Sequence, residues 1–168
     1  MAETKIEWTD KTWNPITGCT KKSEGCANCY AEVMARRLKG MGKKKYINAF
    51  TLTLHPDDLN EPFKWHTPHN VFVCSMGDIF HEDVPDCFVD KIMETIRNTP
   101  QHRYQLLTKR AERMQKYFKC HTIPSNVWLG VTVEVKRVRY RIDCIRNLPA
   151  KIKFLSCEPL LEDLDQLD

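Results

Sequence analysis

Three cysteines fall close together in GCTKKSEGCANCYAE, the stretch from Gly18 to Glu32: Cys19, Cys26 and Cys29. Two such residues would suggest a redox pair and four a closed zinc site, whereas three suggest a metal centre with one coordination position left open. Gly18 and Gly25 stand immediately before two of them, where a loop that wraps a metal centre needs tight turns. Lys21 and Lys22 share the loop, and positive charge there offsets thiolates and lowers their pKa. Two metals fit this pattern. Zinc would need a fourth ligand from a distance, and His81 or Cys157 could supply it. A cluster of four irons and four sulfides held by three thiolates would keep one iron free for a substrate or cofactor.

The remaining cysteines, Cys74, Cys87, Cys120, Cys144 and Cys157, are scattered and read as small apolar packing residues. The chain of 168 residues is 42% hydrophobic and 29% charged, values of a single globular domain. No apolar run approaches the ~18 residues of a membrane span, and the polar opening MAETKIEWTDKTWN lacks the apolar segment of a signal peptide. A cytoplasmic location is therefore expected, with no membrane association. In that compartment clustered cysteines read as metal ligands or catalytic thiols rather than disulfides.

The net charge is +4, with basic residues grouped at Arg36, Arg37, Lys39, Lys43, Lys44 and Lys45 and again at Lys136, Arg137, Arg139, Arg141 and Arg146. Val135, Val138, Ile142 and Ile145 recur at helical intervals beside the second group, so its cations are expected on the solvated side of a helix. The same groups leave nucleic acid open as a partner.

The elements that must position these residues alternate along the chain. Strand-like runs occur at residues 11–17, 50–54, 71–75, 103–108, 127–133 and 151–156, and helical patterns at 30–38, 57–65, 85–97, 109–118 and 135–147. Strand–helix alternation predicts an α/β fold with parallel strands, either an open doubly wound sheet or a partial (β/α) barrel of about six strands. In either, the active site lies at the carboxyl ends of the strands. Those ends are polar: CSMGDIFHED carries Ser75, Asp78, His81, Glu82 and Asp83, LTKR carries Thr108, Lys109 and Arg110, VTVE ends in Glu134, and LSCEP contains Ser156 and Glu158. Asp83 and Thr108 also suit helix N-caps. The cysteine loop follows the first strand and so opens onto the same rim.

The opening KIEWTDKTWNPITGCTKKSEGCANCYAE, followed in order by FTLTLHP, CSMGDIFHEDVP, LTKR, WLGVTVE and FLSCEPLL, resembles a phage-associated family marked by a three-cysteine motif. Its members are regarded as divergent relatives of the radical S-adenosylmethionine enzymes, and the likeness runs over essentially residues 1–168 as one domain with a cluster loop at 18–30. The resemblance implies a partial (β/α) barrel in which Cys19, Cys26 and Cys29 each bind one iron of a four-iron, four-sulfur cluster. The fourth iron would chelate S-adenosylmethionine, whose reductive cleavage would release a 5′-deoxyadenosyl radical to modify an unknown substrate. The cysteine spacing, C-x6-C-x2-C, departs from the usual C-x3-C-x2-C, and no Gly-Gly-Glu block follows the second strand.

Cofactor contacts are accordingly assigned to Tyr30, beside adenine, to Ser75 and Asp78, for the methionine amino group, and to the rim residues Lys109, Glu134 and Glu158. Relatives continue past the equivalent of Leu161, so a further C-terminal segment or a partner protein is expected to cover the last strand. Two rival readings remain: a zinc-stabilised nucleic-acid-binding protein using Trp8 or Trp13 for stacking, and an inactive truncated fragment.

Overall fold

The computed structural model describes residues 4 and 6–167. Five strands form one parallel sheet: β1 (Lys11–Trp13), β4 (Asn70–Val73), β5 (Arg103–Thr108), β6 (Val127–Thr132) and β7 (Ile152–Ser156), in spatial order β1-β4-β5-β6-β7. Every neighbouring pair is parallel. The expected six-stranded sheet is thus corrected to five. The run at 50–54 contributes only β3 (Thr53–Leu54), which pairs antiparallel with β2 (Ile16–Thr17) in a separate ribbon. The physical reason lies at Asn14–Pro15. Pro15 has no N–H to donate, so the first run cannot continue along β4. Asn14 instead accepts from the Met76 N–H through its side chain at 2.9 Å.

Helices follow the strands as the periodicity predicts. They are α1 (Tyr30–Gly40), α2 (Asp86–Asn98), α3 (Ala111–Cys120) and α4 (Tyr140–Arg146). In α2 the residues Phe88, Val89, Ile92, Met93 and Ile96 make one buried stripe, and Asp86 sits in the first turn where the helix dipole favours an anion. The expected helix at 57–65 is a 3₁₀ segment, Pro56–Lys64, because Pro62 within it removes a donor. Likewise 135–147 divides into a 3₁₀ turn, Lys136–Val138, and the short α4. Asp83 caps nothing: Pro85 holds the N-cap position of α2 with no side-chain capping bond.

The two faces of the sheet differ, as strand alternation requires. Val71, Val73, Tyr104, Leu106, Val127, Leu129 and Val131 point into the main core together with Trp13, Phe88, Ile92 and Met114. The opposite face carries Phe72, Gln105 and Trp128, which are register partners, then Gly130, Phe154 and Ser156. Phe154 lies across Gly130 so closely that a Cβ there would stand 2.3 Å from its ring, which leaves no room for any other residue. This second face lines cavities rather than the core. At the carboxyl edge, Leu155 of β7 is 38% exposed, while Leu164 in the segment beyond it is buried. No helix among the described residues is long and apolar enough to cross a membrane.

Candidate functional site

The cysteine loop leaves β2 through Gly18, whose N–H donates to Met76 O at 2.8 Å. Gly18 has φ +81°, and a Cβ on it would come within 2.3 Å of Thr51 O, so only glycine fits. Residues Glu24–Cys26 make a 3₁₀ turn, with Cys26 N–H donating to Ser23 O at 2.9 Å. Cys29 is the residue immediately before α1, and its carbonyl accepts from Val33 N–H. All three cysteines are free and half-buried.

Two cavities meet at this loop. One, of about 620 Å³, is lined by Cys19, Cys26, Cys29, Phe50, Thr51 and His81 among others. The second, of about 600 Å³, spreads over the carboxyl ends of the strands and is lined by the same three cysteines with Tyr30, Ser75, Asp78, Lys109 and Glu158. The three cysteines therefore line both spaces. Among the described residues no three His, Cys, Asp or Glu side chains converge closely enough to hold one metal ion.

A buried arginine ties the loop to the strand ends. Arg110 donates through Nε to Glu82, through Nη1 to Asp78 Oδ2 at 3.2 Å and to Cys19 Sγ at 3.3 Å, and through Nη2 to Thr20 O and Oγ1. Asp78 in turn accepts from Thr108 Oγ1 at 2.7 Å and from the Phe80 N–H at 3.0 Å. The motif LTKR offered the only sign of this role: a cation two residues past a strand end. Thr108 is not the N-cap of α3: Arg110 holds that position with no side-chain capping bond, and Thr108 Oγ1 accepts the Arg110 N–H at 2.8 Å.

The residues singled out in the sequence divide into two kinds. Asp78, Ser75, Tyr30, Lys109 and Glu158 do reach one cavity. Tyr30 is 59% exposed and its hydroxyl donates to Ser75 O at 2.5 Å. Ser75 Oγ is engaged with Asn14 at 3.2 Å. Lys109 and Glu158 bring charges to the cavity wall with no side-chain partner among the described residues. Glu134 is different. It is fully buried, away from the cavity, pairing with Arg141 at 2.9 Å and accepting from Ser23 Oγ. It holds the loop from behind, and a Cβ on Gly25 would press on it at 3.0 Å.

Two expectations about charge and stacking need correction. Arg141 is 1% exposed rather than on a solvated face, because the Glu134 carboxylate behind the loop requires a cation. Lys136 and Arg137 are exposed, as expected, and Arg139 is half-buried; they pair with Asp165, Glu24 and Asp165 respectively. Trp13 is fully buried with its N–H donating to Asp58 O at 2.8 Å, so only Trp8 of the two indoles is available to a ligand.

The electrostatics at Cys19 also differ from expectation. Burial, with the nearby Asp78 carboxylate, pushes its thiol up to about 11 against the opposing pull of Arg110. Arg110, not Lys21 or Lys22, is the cation that touches this sulfur. The Cys26 sulfur accepts the Lys22 backbone N–H at 3.5 Å. His81 is buried, and burial followed by the Arg110 charge lowers its pKa. Both its nitrogens are engaged: Nδ1 accepts the Asp83 N–H at 3.1 Å, and Nε2 lies 2.8 Å from Thr20 Oγ1.

Fold and site together define an α/β protein with a parallel five-stranded sheet and a three-thiol loop at its carboxyl edge. Residues 3–168 match the family described as Protein of unknown function (DUF5131), and the chain belongs to that family. No curated protein and no solved structure matches it.

Proposed function

We propose that this chain is an iron–sulfur protein of the radical S-adenosylmethionine type, acting on an unknown substrate. Cys19, Cys26 and Cys29 would hold three irons of a four-iron, four-sulfur cluster, and S-adenosylmethionine would occupy the remaining iron from the strand-end cavity. The observation that carries this reading is that the three thiols line both cavities at the carboxyl edge of a parallel sheet. Three cysteines of one loop are the donor type that such a cluster takes, each thiolate serving a different iron. The bound cluster would supply one-electron reduction of the sulfonium cofactor.

The protein's own residues prepare that site. Arg110 fixes the Cys19 end of the loop and offers an N–H to its sulfur, and such bonds tune cluster potentials. Glu134 and Arg141 fix the middle of the loop through Ser23. Lys109 and Glu158 supply one positive and one negative charge to the cavity, complementary to the carboxylate and ammonium of a methionine moiety. The cavity-lining face of the sheet is the inner wall expected of a partial (β/α) barrel. Zinc closed by His81 is disfavoured because both imidazole nitrogens already have protein partners.

The test is to reconstitute the protein anaerobically, reduce it with dithionite, add S-adenosylmethionine and assay 5′-deoxyadenosine by mass spectrometry. Product lost in Cys26→Ala supports the reading. Full cluster loading with neither cofactor binding nor product contradicts it.

A further inference from the structure

Phe72, Gln105, Trp128 and Ile152 stand in register across β4, β5, β6 and β7, so their side chains share the face opposite the main core. Over this row lies a third cavity of about 340 Å³, walled by Trp8, Gln105, Trp128, Phe154, Ser156 and Glu158. Trp8, Ser156 and Glu158 also line the strand-end cavity, so the two spaces adjoin. Trp8 packs on Phe72 with ring centroids 4.8 Å apart.

Gln105 is the anomaly in this wall. It is 5% exposed, in the middle of an otherwise apolar row. Its Nε2 donates to Trp8 O at 3.1 Å, which fixes the amide orientation, since the flipped group would set oxygen against oxygen. The other atom, Oε1, is buried with no partner. An unpaired buried amide oxygen is uncommon and needs a donor. A leucine in its place would pack as well without that cost. The indole of Trp8, 43% exposed, borders the same cavity.

We propose that this cavity seats a nucleobase bearing an exocyclic amino group, stacked against Trp128 and Trp8, with the amino group donating to Gln105 Oε1. Two indoles provide the stacking surface that planar heterocycles take. A fixed acceptor in the wall they share selects an amino edge over a keto edge, because a keto oxygen would leave two acceptors facing each other. As the substrate seat of the proposed enzyme this rests on the reading above; binding itself does not. The base comes either from a free nucleoside or from a single strand, and the chemistry in the cavity is the same.

The experiment titrates adenosine, inosine and hexadeoxyadenylate into the full chain stripped of metal, following tryptophan fluorescence. Inosine differs from adenosine in carrying a keto group where the amino group stands. Adenosine is expected to bind about tenfold more tightly than inosine. Gln105→Leu should bring the two within about twofold, Gln105→Glu should keep the preference in its protonated form, whose hydroxyl donates to Trp8 O while its carbonyl remains the acceptor, and Trp128→Leu should weaken both. Tighter binding of hexadeoxyadenylate assigns the base to a strand, and tighter binding of adenosine to a free nucleoside. Equal binding of adenosine and inosine to the wild-type chain, an unchanged preference in folded Gln105→Leu, or no binding of any probe overturns the proposal. If Gln105→Leu does not fold, loss of the preference in folded Gln105→Glu overturns it instead. Iron and sulfide content plays no part in this readout, so its failure is separate from failure of the cluster reading.

Discussion

The Arg110 guanidinium donates to the Cys19 sulfur at 3.3 Å across 91 residues of sequence, and the same Nη1 bonds the buried Asp78 carboxylate at 3.2 Å. One side chain thus holds the first thiol of the loop against the strand end that forms the cavity floor. Removing it leaves a carboxylate that is 8% exposed without its cation. Arg110→Ala is expected to cost about 3–5 kcal/mol in chemical denaturation. Arg110→Lys keeps the charge but loses the fork, so it should recover part of the stability and bind iron with a shifted midpoint potential. A potential unchanged in Arg110→Lys would show that the contact does not reach the metal centre.

Glu134 and Lys109 should behave oppositely, although both stand at strand ends. Glu134→Ala strands the buried Arg141 cation and is expected to cost about 3–5 kcal/mol. Lys109→Ala and Glu158→Ala remove charges without side-chain partners among the described residues and should change stability by less than about 0.5 kcal/mol. Their effect should appear as weaker S-adenosylmethionine binding to the reconstituted protein, by about tenfold each, in calorimetric titration.

Gly18→Ala tests the exit of the loop. The residue has a left-handed backbone, and its new Cβ would meet Thr51 O at 2.3 Å. A loss of about 1–3 kcal/mol is expected from the strain alone, with more from the clash. Thermal melts should show it, and iron uptake should fall with it. Gly42, also left-handed but with open space around it, should lose less when changed to Ala.

Glu82 gives a pH signature. Partial burial raises its pKa, but hydrogen bonds from Arg110 and Lys22 outweigh this and draw it down to about 2, from 4.5 unfolded. A carboxylate with a depressed folded pKa binds fewer protons folded than unfolded, so its contribution is present above pH 4.5 and lost as the pH falls towards about 2. The stability difference between wild type and Glu82→Gln should therefore be largest near neutrality and shrink across that window. A difference that grows on acidification would contradict the pairing.

Much of this arrangement was legible in residue order. Strand–helix alternation gave the parallel sheet, and the stripe of Phe88, Ile92 and Ile96 gave α2, because burial of one face leaves a periodic trace. The isolated cysteines and the polar strand ends located the rim. What stayed hidden depends on contacts between distant segments. Nothing local distinguishes Glu134, buried under the loop, from Glu158, which lines the cavity, since both follow a strand. Arg141 looked solvent-facing by its helical phase, yet a partner 7 residues earlier draws it inward. Residues 50–54 carried a strand's composition, but Pro15 had already turned the chain away from the sheet.

If Cys19, Cys26 and Cys29 carry a four-iron, four-sulfur cluster, iron, acid-labile sulfide and zinc measured on one anaerobically reconstituted sample report it most directly. About four irons and about four sulfides per chain, with little zinc, are predicted. Both should fall away in Cys19→Ala, Cys26→Ala and Cys29→Ala and persist in Cys87→Ala and Cys120→Ala, whose thiols lie exposed outside the loop. Stoichiometric zinc with negligible sulfide would contradict the account.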